Sequence, residues 1–437
     1  MHVLPLYALL DTRKQKEVFN PPPKGKRLCV VSTNVAETSI TIPNIRYVVD
    51  CGRVKNKTMD KLTQASCYKI EWTSQASAEQ RSGRAGRVGP GHCYRLYSTA
   101  VYSNVMSPHS VPEILRTPLE SVVLLMKHIG IEQVGGFPFP SPPMEEDIKN
   151  ALIHLKTIGG LTDGTFSITP LGERMLAYPV LPRFARAIVE CQDKKWLHIL
   201  HMVVAIVAMA STCSTPFTAE GNQVKYSKSS EAEKDPRRGK VRSLLCPGSD
   251  LITNFRAFGK YLADQRKSCH EYCLVQKSMK EAKMLFYQLC SLAAQDRSTD
   301  DEIPDTVDTT EQSSSAPPAD SLSSITQTDE LSVRKIFIPG LIDQIARRAT
   351  PQECIAYKVS YNEKKTSSAP YLILSTRAIA FIHPTSSVSH TLPPPEYVLF
   401  SHLQTVSRSE SKTAQTHMLG VTIVVKEWLL EAGCEDY

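Results

Sequence analysis

The chain has 437 residues, 41% of them hydrophobic, which suffices for ordinary cores and for two to four domains. Its net charge of +7 is unevenly placed: residues 1–110 hold 16 Lys/Arg against 7 Asp/Glu, and the remainder 35 against 37. Nothing reads as a signal peptide, and the longest apolar run, Ile199 to Ala210 with His201 inside it, is too short to cross a bilayer, so no membrane partner is expected. A basic front part on a near-neutral remainder suits a binder of phosphate backbones, or a surface made basic for solubility.

In chain order, Leu28 to Val31 is a short apolar run that predicts a buried parallel strand. The polar Thr33-Asn34 follows at its carboxyl end, where ligands bind in open α/β sheets. Ile45 to Val49 begins another strand. Two β-prone arms around a polar turn, between Gly52 and Trp72, predict a hairpin with Lys55, Lys57 and Lys61 along its stem. Taken alone, such a hairpin is simply solvated. Then comes Gln80-Arg-Ser-Gly-Arg84-Ala-Gly-Arg87, with glycine-preceded arginines three residues apart. Guanidinium forks grip phosphate oxygens bidentately, and small neighbours let the backbone come close.

Strand, polar crossing segment, strand and arginine turn, in this order, resemble motifs V and VI of the DEAH-box RNA helicases. These are superfamily-two motors with RecA-like lobes. The glutamine that opens the second motif, Gln80, distinguishes that type from DEAD-box proteins, which begin it with histidine. The resemblance implies that Gln80 positions the attacking water and that Arg84 and Arg87 are the fingers that neutralise the transferring phosphoryl group. Arg81 would brace the loop. It puts Thr33 and Asn34 on RNA phosphates, has Thr38 and Ser39 couple nucleotide state to RNA grip, and lets the hairpin wedge RNA with Lys55, Lys57 and Lys61. Gln15-Lys-Glu-Val-Phe19 resembles the segment whose aromatic stacks on adenine, so Phe19 is either that platform or a core aromatic. ATP and Mg²⁺ are the implied cofactors. Yet the sequence holds neither a Gly-x-x-x-x-Gly-Lys-Ser/Thr loop to cradle phosphates nor an Asp-Glu-Ala-His run to hold magnesium. Both belong to the family's first lobe, and Met1 to Leu10 looks like a segment inside the second. The chain thus reads as a carboxy-terminal part, expected to be inactive as an ATPase by itself.

After Tyr97 the character turns helical. Pro118 opens a helix with Leu119, Val122, Val123 and Met126 on one face. A second helix spans Met144 to Ile158 with Ile148, Ala151, Leu152 and Leu155 on one side. Leu161 to Thr169 is a hairpin turned by Asp163-Gly164. Helices ending in a short hairpin, followed by Thr169-Pro-Leu-Gly172, resemble the family's winged helix, which packs on the motor as a scaffold. Leu181 to Ala294 resembles its helical bundle, or ratchet, broken by a polar insert at 215–248 that is expected to be mobile. Four of the insert's basic residues, Arg237, Arg238, Lys240 and Arg242, read as a phosphate tether or as an inert loop. Cys269-His-Glu-Tyr-Cys273, the one cluster among twelve otherwise scattered cysteines, lacks a second ligand pair, so no metal site is expected. The scatter itself suits reduced thiols in a cytosolic or nuclear protein. Residues 296–330 are acidic and rich in Ser and Thr, composition that predicts a disordered linker.

From Leu331 a helical stretch at Ile342–Arg348 is expected, then strands at Cys354–Tyr361, Tyr371–Leu374, Ala378–His383, Tyr397–Phe400 and Leu419–Val425. Short strands with polar turns suggest a small barrel, and the resemblance places an OB-fold here that binds single strands and docks an activator protein. The expected fold class is therefore multidomain α/β plus α plus β: a partial RecA-like lobe at 1–110, a winged helix at 111–180, a helical bundle at 181–295, the linker, and an OB-fold at 331–437. Gly340-Leu-Ile-Asp-Gln-Ile-Ala-Arg-Arg348 and Phe381-Ile-His-Pro-Thr-Ser-Ser most resemble the ribosome-biogenesis members, which act on small-subunit precursor RNA and a small nucleolar RNA in the nucleolus of the nucleus. Three readings stand at this point: part of such a motor (or of a splicing one), a non-catalytic RNA-binding or docking module, and an incomplete gene product.

Overall fold

The computed structural model describes residues 1–7, 10, 12–38, 41–59, 66–87, 89–213, 215–226, 235–297, 325–360, 366–406 and 415–433. They fall into two compact units, the first built from 1–59 and 67–117, the second from 60–66 and 118–437.

In the first unit β1 (His2–Leu6) runs parallel to β2 (Leu28–Ser32). Leu4, Leu6 and Val18 form its small core with Leu28, Val30, Val35, Ala36 and Ile42 packed on it. A second parallel pair joins β3 (Tyr47–Asp50) to β6 (His92–Arg95). Between these two strands the chain makes the expected hairpin, β4 (Arg53–Met59) with β5 (Ser66–Trp72). It then makes the helix Gln75–Ser82, which is capped by Ser74, whose side chain accepts from the Ser77 amide at 3.2 Å. Gly52 turns the chain from β3 into the hairpin at φ +68°, and a Cβ there would stand 2.6 Å from the Tyr97 ring, so only glycine fits.

The second unit opens with helices Glu120–His128 and Glu145–Thr157. A wing follows that is closed by the single bridge Leu161–Ile168. Val122 departs from its expected inward position: it is 38% exposed, and Leu124 is buried instead. The buried stripe runs through Leu119, Val123, Leu124 and Met126, one residue round from the apolar face read in the sequence. Helix Leu200–Thr212, buried from Val203 to Met209, is the axis of the bundle, and Pro182–Asp193, Asp250–Ala263 and Gln276–Arg297 pack on it. That explains its apolar run without a membrane, and no described helix is long and apolar enough to cross one.

The described parts of the polar insert hold more helix than its composition suggests. Helices Ala219–Tyr226 and Arg237–Ser243 occupy much of it, and Phe217, Val241, Leu244 and Cys246 are buried. Arg237 is held by Asp235 and Glu220 and Lys240 by Glu271, so these two cations are committed to carboxylates. Residues 227–234 lie outside the described residues, as do 298–324 of the acidic linker. The linker's last part is not loop but the start of helix Gln327–Ile336, opened by a reciprocal cap between Thr326 and Asp329.

The last part is a barrel-like sheet in the order β13-β10-β7-β8-β9-β12-β11. Its strands are β7 (Ile345–Arg348), β8 (Pro370–Ile373), β9 (Ile379–Ile382), β10 (Tyr397–Leu399), β11 (His402–Val406), β12 (Gln415–Leu419) and β13 (Thr422–Val424). β9 and β12 pair parallel and the rest antiparallel. Two expectations are corrected. Ile345–Arg348 is a strand and not a helix, because it lies between β8 and β10. The strand expected at Cys354–Tyr361 does not form over its described residues 354–360: Thr350 and Glu353 form a capping box and Pro351 takes the first helical position, so Pro351–Ala356 is helical.

Two buried polar clusters join the bundle to its neighbours. Asp250, the first residue of its helix, accepts from Ser387 N and Oγ (2.7 and 2.6 Å), Ser386 Oγ (2.7 Å) and Val421 N (2.9 Å). Arg183 contacts Glu120 at 3.3 Å and Asp343 at 3.5 Å, and His154 sits between the same two carboxylates at 3.5 and 3.3 Å. Gly340 allows this approach, since a Cβ there would meet the Arg183 carbonyl oxygen at 2.0 Å. Burial alone would raise the Asp343 carboxyl, but Arg183 and His154 outweigh it and hold the group well below the usual carboxylate range.

Asp250→Ala leaves four buried donors without their acceptor and is expected to lower stability by about 2–4 kcal/mol in urea unfolding. Asp343 has a lower pKa folded than the value of about 3.9 in an unfolded chain. Its contribution to stability is therefore full above that pH and is lost as pH falls below it. Urea midpoints taken from about pH 3 to pH 7 should show an acid limb that flattens in Asp343→Asn.

Candidate phosphate site

The arginine turn is anchored before it begins. Gln75 donates its backbone N–H to the Ser107 carbonyl and its side chain to the Tyr102 carbonyl, both at 2.8 Å, and Ala78 is fully buried. After Ser82 the chain closes three successive tight turns: Arg84 N to Arg81 O, Ala85 N to Ser82 O, and Gly86 N to Gly83 O. Ala85 points inward, so Arg84 and Arg87 are thrown to the other side.

Both arginines reach the segment after β2. Arg84 Nη2 donates to the Glu37 carbonyl and Arg87 Nη1 to the Thr41 hydroxyl. The two motifs recognised separately in the sequence therefore meet in one place. Partial burial, then the charge of Arg87, push the Arg84 guanidinium below its ordinary value. Gln80 is exposed on the last turn of the helix. Thr33 and Asn34 are exposed at the carboxyl end of β2, where the Asn34 carbonyl accepts from Glu37 N at 2.9 Å and starts the turn Val35–Thr38.

Phe19 is 44% exposed while its neighbour Val18 is fully buried, so the ring is not core packing. Lys55 is exposed on β4. Lys57 belongs to the same strand, but its side chain, the Thr38 side chain, Ser39 and Lys61 lie outside the described residues. Among the described residues no group of three or more His, Cys, Asp or Glu is placed to hold a metal ion. The donor set fits the outer phosphates of a nucleotide, with two guanidinium groups on one turn, and it offers magnesium no cage of its own.

Reading the sequence missed the acids that organise this turn. Asp50, at the end of β3, is 3% exposed and accepts from Gly52 N (2.9 Å), Arg81 Nη1 (2.9 Å) and Tyr97 Oη (3.1 Å). Burial, then the charge of Asp50, push the Tyr97 hydroxyl far up. Glu37 takes Arg81 Nε at 3.0 Å. The available signal was Asp50-Cys-Gly52, an acid followed by a turn glycine at a strand's carboxyl end.

The elements follow the order expected of a second RecA-like lobe with its accessory domains. Comparison with known families agrees along the chain. Residues 1–89 match the helicase conserved C-terminal domain, 151–180 the winged-helix and 181–253 the ratchet-like part of the helicase-associated domain, and 333–434 the oligonucleotide/oligosaccharide-binding fold. The human protein named probable ATP-dependent RNA helicase DHX37 is 34% identical over the whole chain, covering 37% of its own length. ATP-dependent RNA helicase DEAH13 of Arabidopsis thaliana is 35% identical over 99% of the chain and 35% of its own. The pre-mRNA-splicing factor prp22 of Schizosaccharomyces pombe is 32% identical over 66% of the chain and 24% of its own. The chain belongs to the DEAH-type ATP-dependent RNA helicases, whose carboxy-terminal domain set it carries. It spans a little over a third of the length of the relatives that match it end to end.

Proposed function

We propose that this chain is the carboxy-terminal part of an ATP-dependent motor that remodels RNA–protein complexes in small-subunit ribosome biogenesis, in the nucleolus. The observation that carries the motor reading is the meeting of Arg84 and Arg87 with the Glu37–Thr41 segment, which puts two guanidinium groups beside the turn that follows β2. In this reading Arg84 and Arg87 neutralise charge on the transferring phosphoryl group and Gln80 orients the attacking water. Phe19, exposed beside a buried Val18, is free to stack on adenine. Thr38 and Ser39 read the nucleotide state. Thr33, Asn34, Lys55, Lys57 and Lys61 hold the RNA backbone. ATP and Mg²⁺ are bound chiefly by a first lobe that carries the phosphate loop, and no such loop occurs in these 437 residues.

The ribosomal assignment rests on the segments Gly340–Arg348 and Phe381–Ser387. It is supported by end-to-end similarity to DHX37 and DEAH13, against two-thirds coverage by the splicing factor. Precursor ribosomal RNA or a small nucleolar RNA is the proposed substrate, with a protein activator docking on the OB-fold. The domain limits we assign are 1–110, 111–180, 181–295 and 331–437.

Two measurements test the reading. The purified chain should show no RNA-stimulated phosphate release, whereas a polypeptide that also carries the first lobe should turn over ATP. In that longer protein Arg84→Ala or Arg87→Ala should each cut kcat by about 100- to 1,000-fold, and retained turnover would show that these are not the fingers. The chain alone should bind single-stranded RNA, weakening by roughly 50-fold between about 50 and about 200 mM salt, as for about four phosphate contacts. An affinity indifferent to salt would remove the basic lobe from the RNA path.

A further inference from the structure

We propose that Arg81 is a positioning residue that makes the phosphate turn and the β4–β5 hairpin move as one body. Its side chain is only 14% exposed, and each of the three guanidinium nitrogens is engaged. Nε donates to Glu37 Oε2 at 3.0 Å, Nη1 to Asp50 Oδ1 at 2.9 Å and to the Arg53 carbonyl at 3.3 Å, and Nη2 to Thr73 Oγ1 at 3.2 Å.

The last two partners are the feet of the hairpin. Arg53 is the first residue of β4, and Thr73 directly follows β5. The feet are closed on each other, since Thr73 N donates to the Gly52 carbonyl at 2.8 Å and the Arg53 guanidinium stacks 3.4 Å from the centre of the Trp72 ring. On the opposite side the first partner, Glu37, gives its carboxylate to Arg81 and its backbone carbonyl to Arg84. A continuous path of polar contacts therefore runs from Arg84 through Glu37 and Arg81 to both feet of the hairpin, while Asp50 fixes the joint to the end of β3.

Arginine is the side chain this joint requires. A planar fork reaches four acceptors in fixed directions, whereas a lysine ammonium is a point charge with three rotating donors. Any shift of the Glu37 turn is thereby imposed on the hairpin feet without a hinge between them. The inference rests on the reading that Arg84 meets phosphate and that the hairpin meets RNA, since those roles make the link useful. The link itself is a property of this unit, and it can be measured without nucleotide or RNA.

The test is hydrogen exchange in the 437-residue chain carrying Glu37→Gln, Arg81→Lys and both. Glu37 makes no contact with the hairpin among those described, yet Glu37→Gln should speed exchange of the Thr73 amide about fivefold to tenfold. Arg81→Lys should do the same, and the double variant should be no faster than Arg81→Lys alone, the non-additivity that marks a shared path. Amides of Leu200–Thr212 should not change in any of the three. An unchanged Thr73 amide in Glu37→Gln, or effects that multiply in the double variant, would overturn the proposal. Should Arg81→Lys unfold the unit, Thr73→Val carries the test from the other end. Coupling is reciprocal, so it must speed exchange of the Glu37 amide, and no change there overturns the joint. Failure of these exchanges would leave the finger assignment standing, and intact turnover in Arg84→Ala would leave the joint standing.

Discussion

A charge taken out of water must find its partners inside the protein, and both compact units are organised around charges that do. In the first, Arg81 is spread over Glu37, Asp50, the Arg53 carbonyl and Thr73. In the second, Arg183 and His154 lie between Glu120 and Asp343, while Asp250 is satisfied by Ser386, Ser387 and Val421. Apolar packing makes each core, but it is non-directional. These clusters supply direction, because their carboxylates gather donors brought to them by other elements.

The consequence for function differs between the units. Around Arg81 the tied elements are the ones expected to touch ligands: the segment after β2, the arginine turn and the hairpin. In the proposed motor such elements must answer one another, and a shared guanidinium ties them with few residues. Around Arg183 the tied elements are scaffold, namely two helices before the wing, the first bundle helix and the turn into the barrel. The same chemistry there gives a fixed frame. Asp250 continues that frame into the barrel, since its partners follow β9 and precede β13.

The residues that resemble ribosome-biogenesis helicases gain a physical explanation from these contacts. Gly340 lies against the Arg183 carbonyl and Asp343 belongs to the buried ionic cluster, so Gly340–Arg348 is a docking turn followed by a strand. Ser386 and Ser387, at the end of Phe381–Ser387, are the donors to Asp250. Both segments hold domains together.

The chemistry of single residues and short periodic runs was legible without coordinates. The arginine turn, the polar segment after β2, the hairpin and the buried helix at Leu200–Thr212 follow from local pattern, because each depends on residues close in the chain. What failed depended on distant neighbours. Ile345–Arg348 became a strand because β8 and β10 flank it, and Val122 turned outward because the helix it belongs to packs one residue round. The helix at Arg237–Ser243 stands where composition suggested a loop, because Val241 and Leu244 find a core supplied from elsewhere in the chain. Motifs V and VI were readable as two separate phosphate signals. That Glu37 receives both Arg81 and Arg84, and so joins them, was decided only by folding, since a carboxylate's partners are set by what the tertiary structure brings within 3 Å of it.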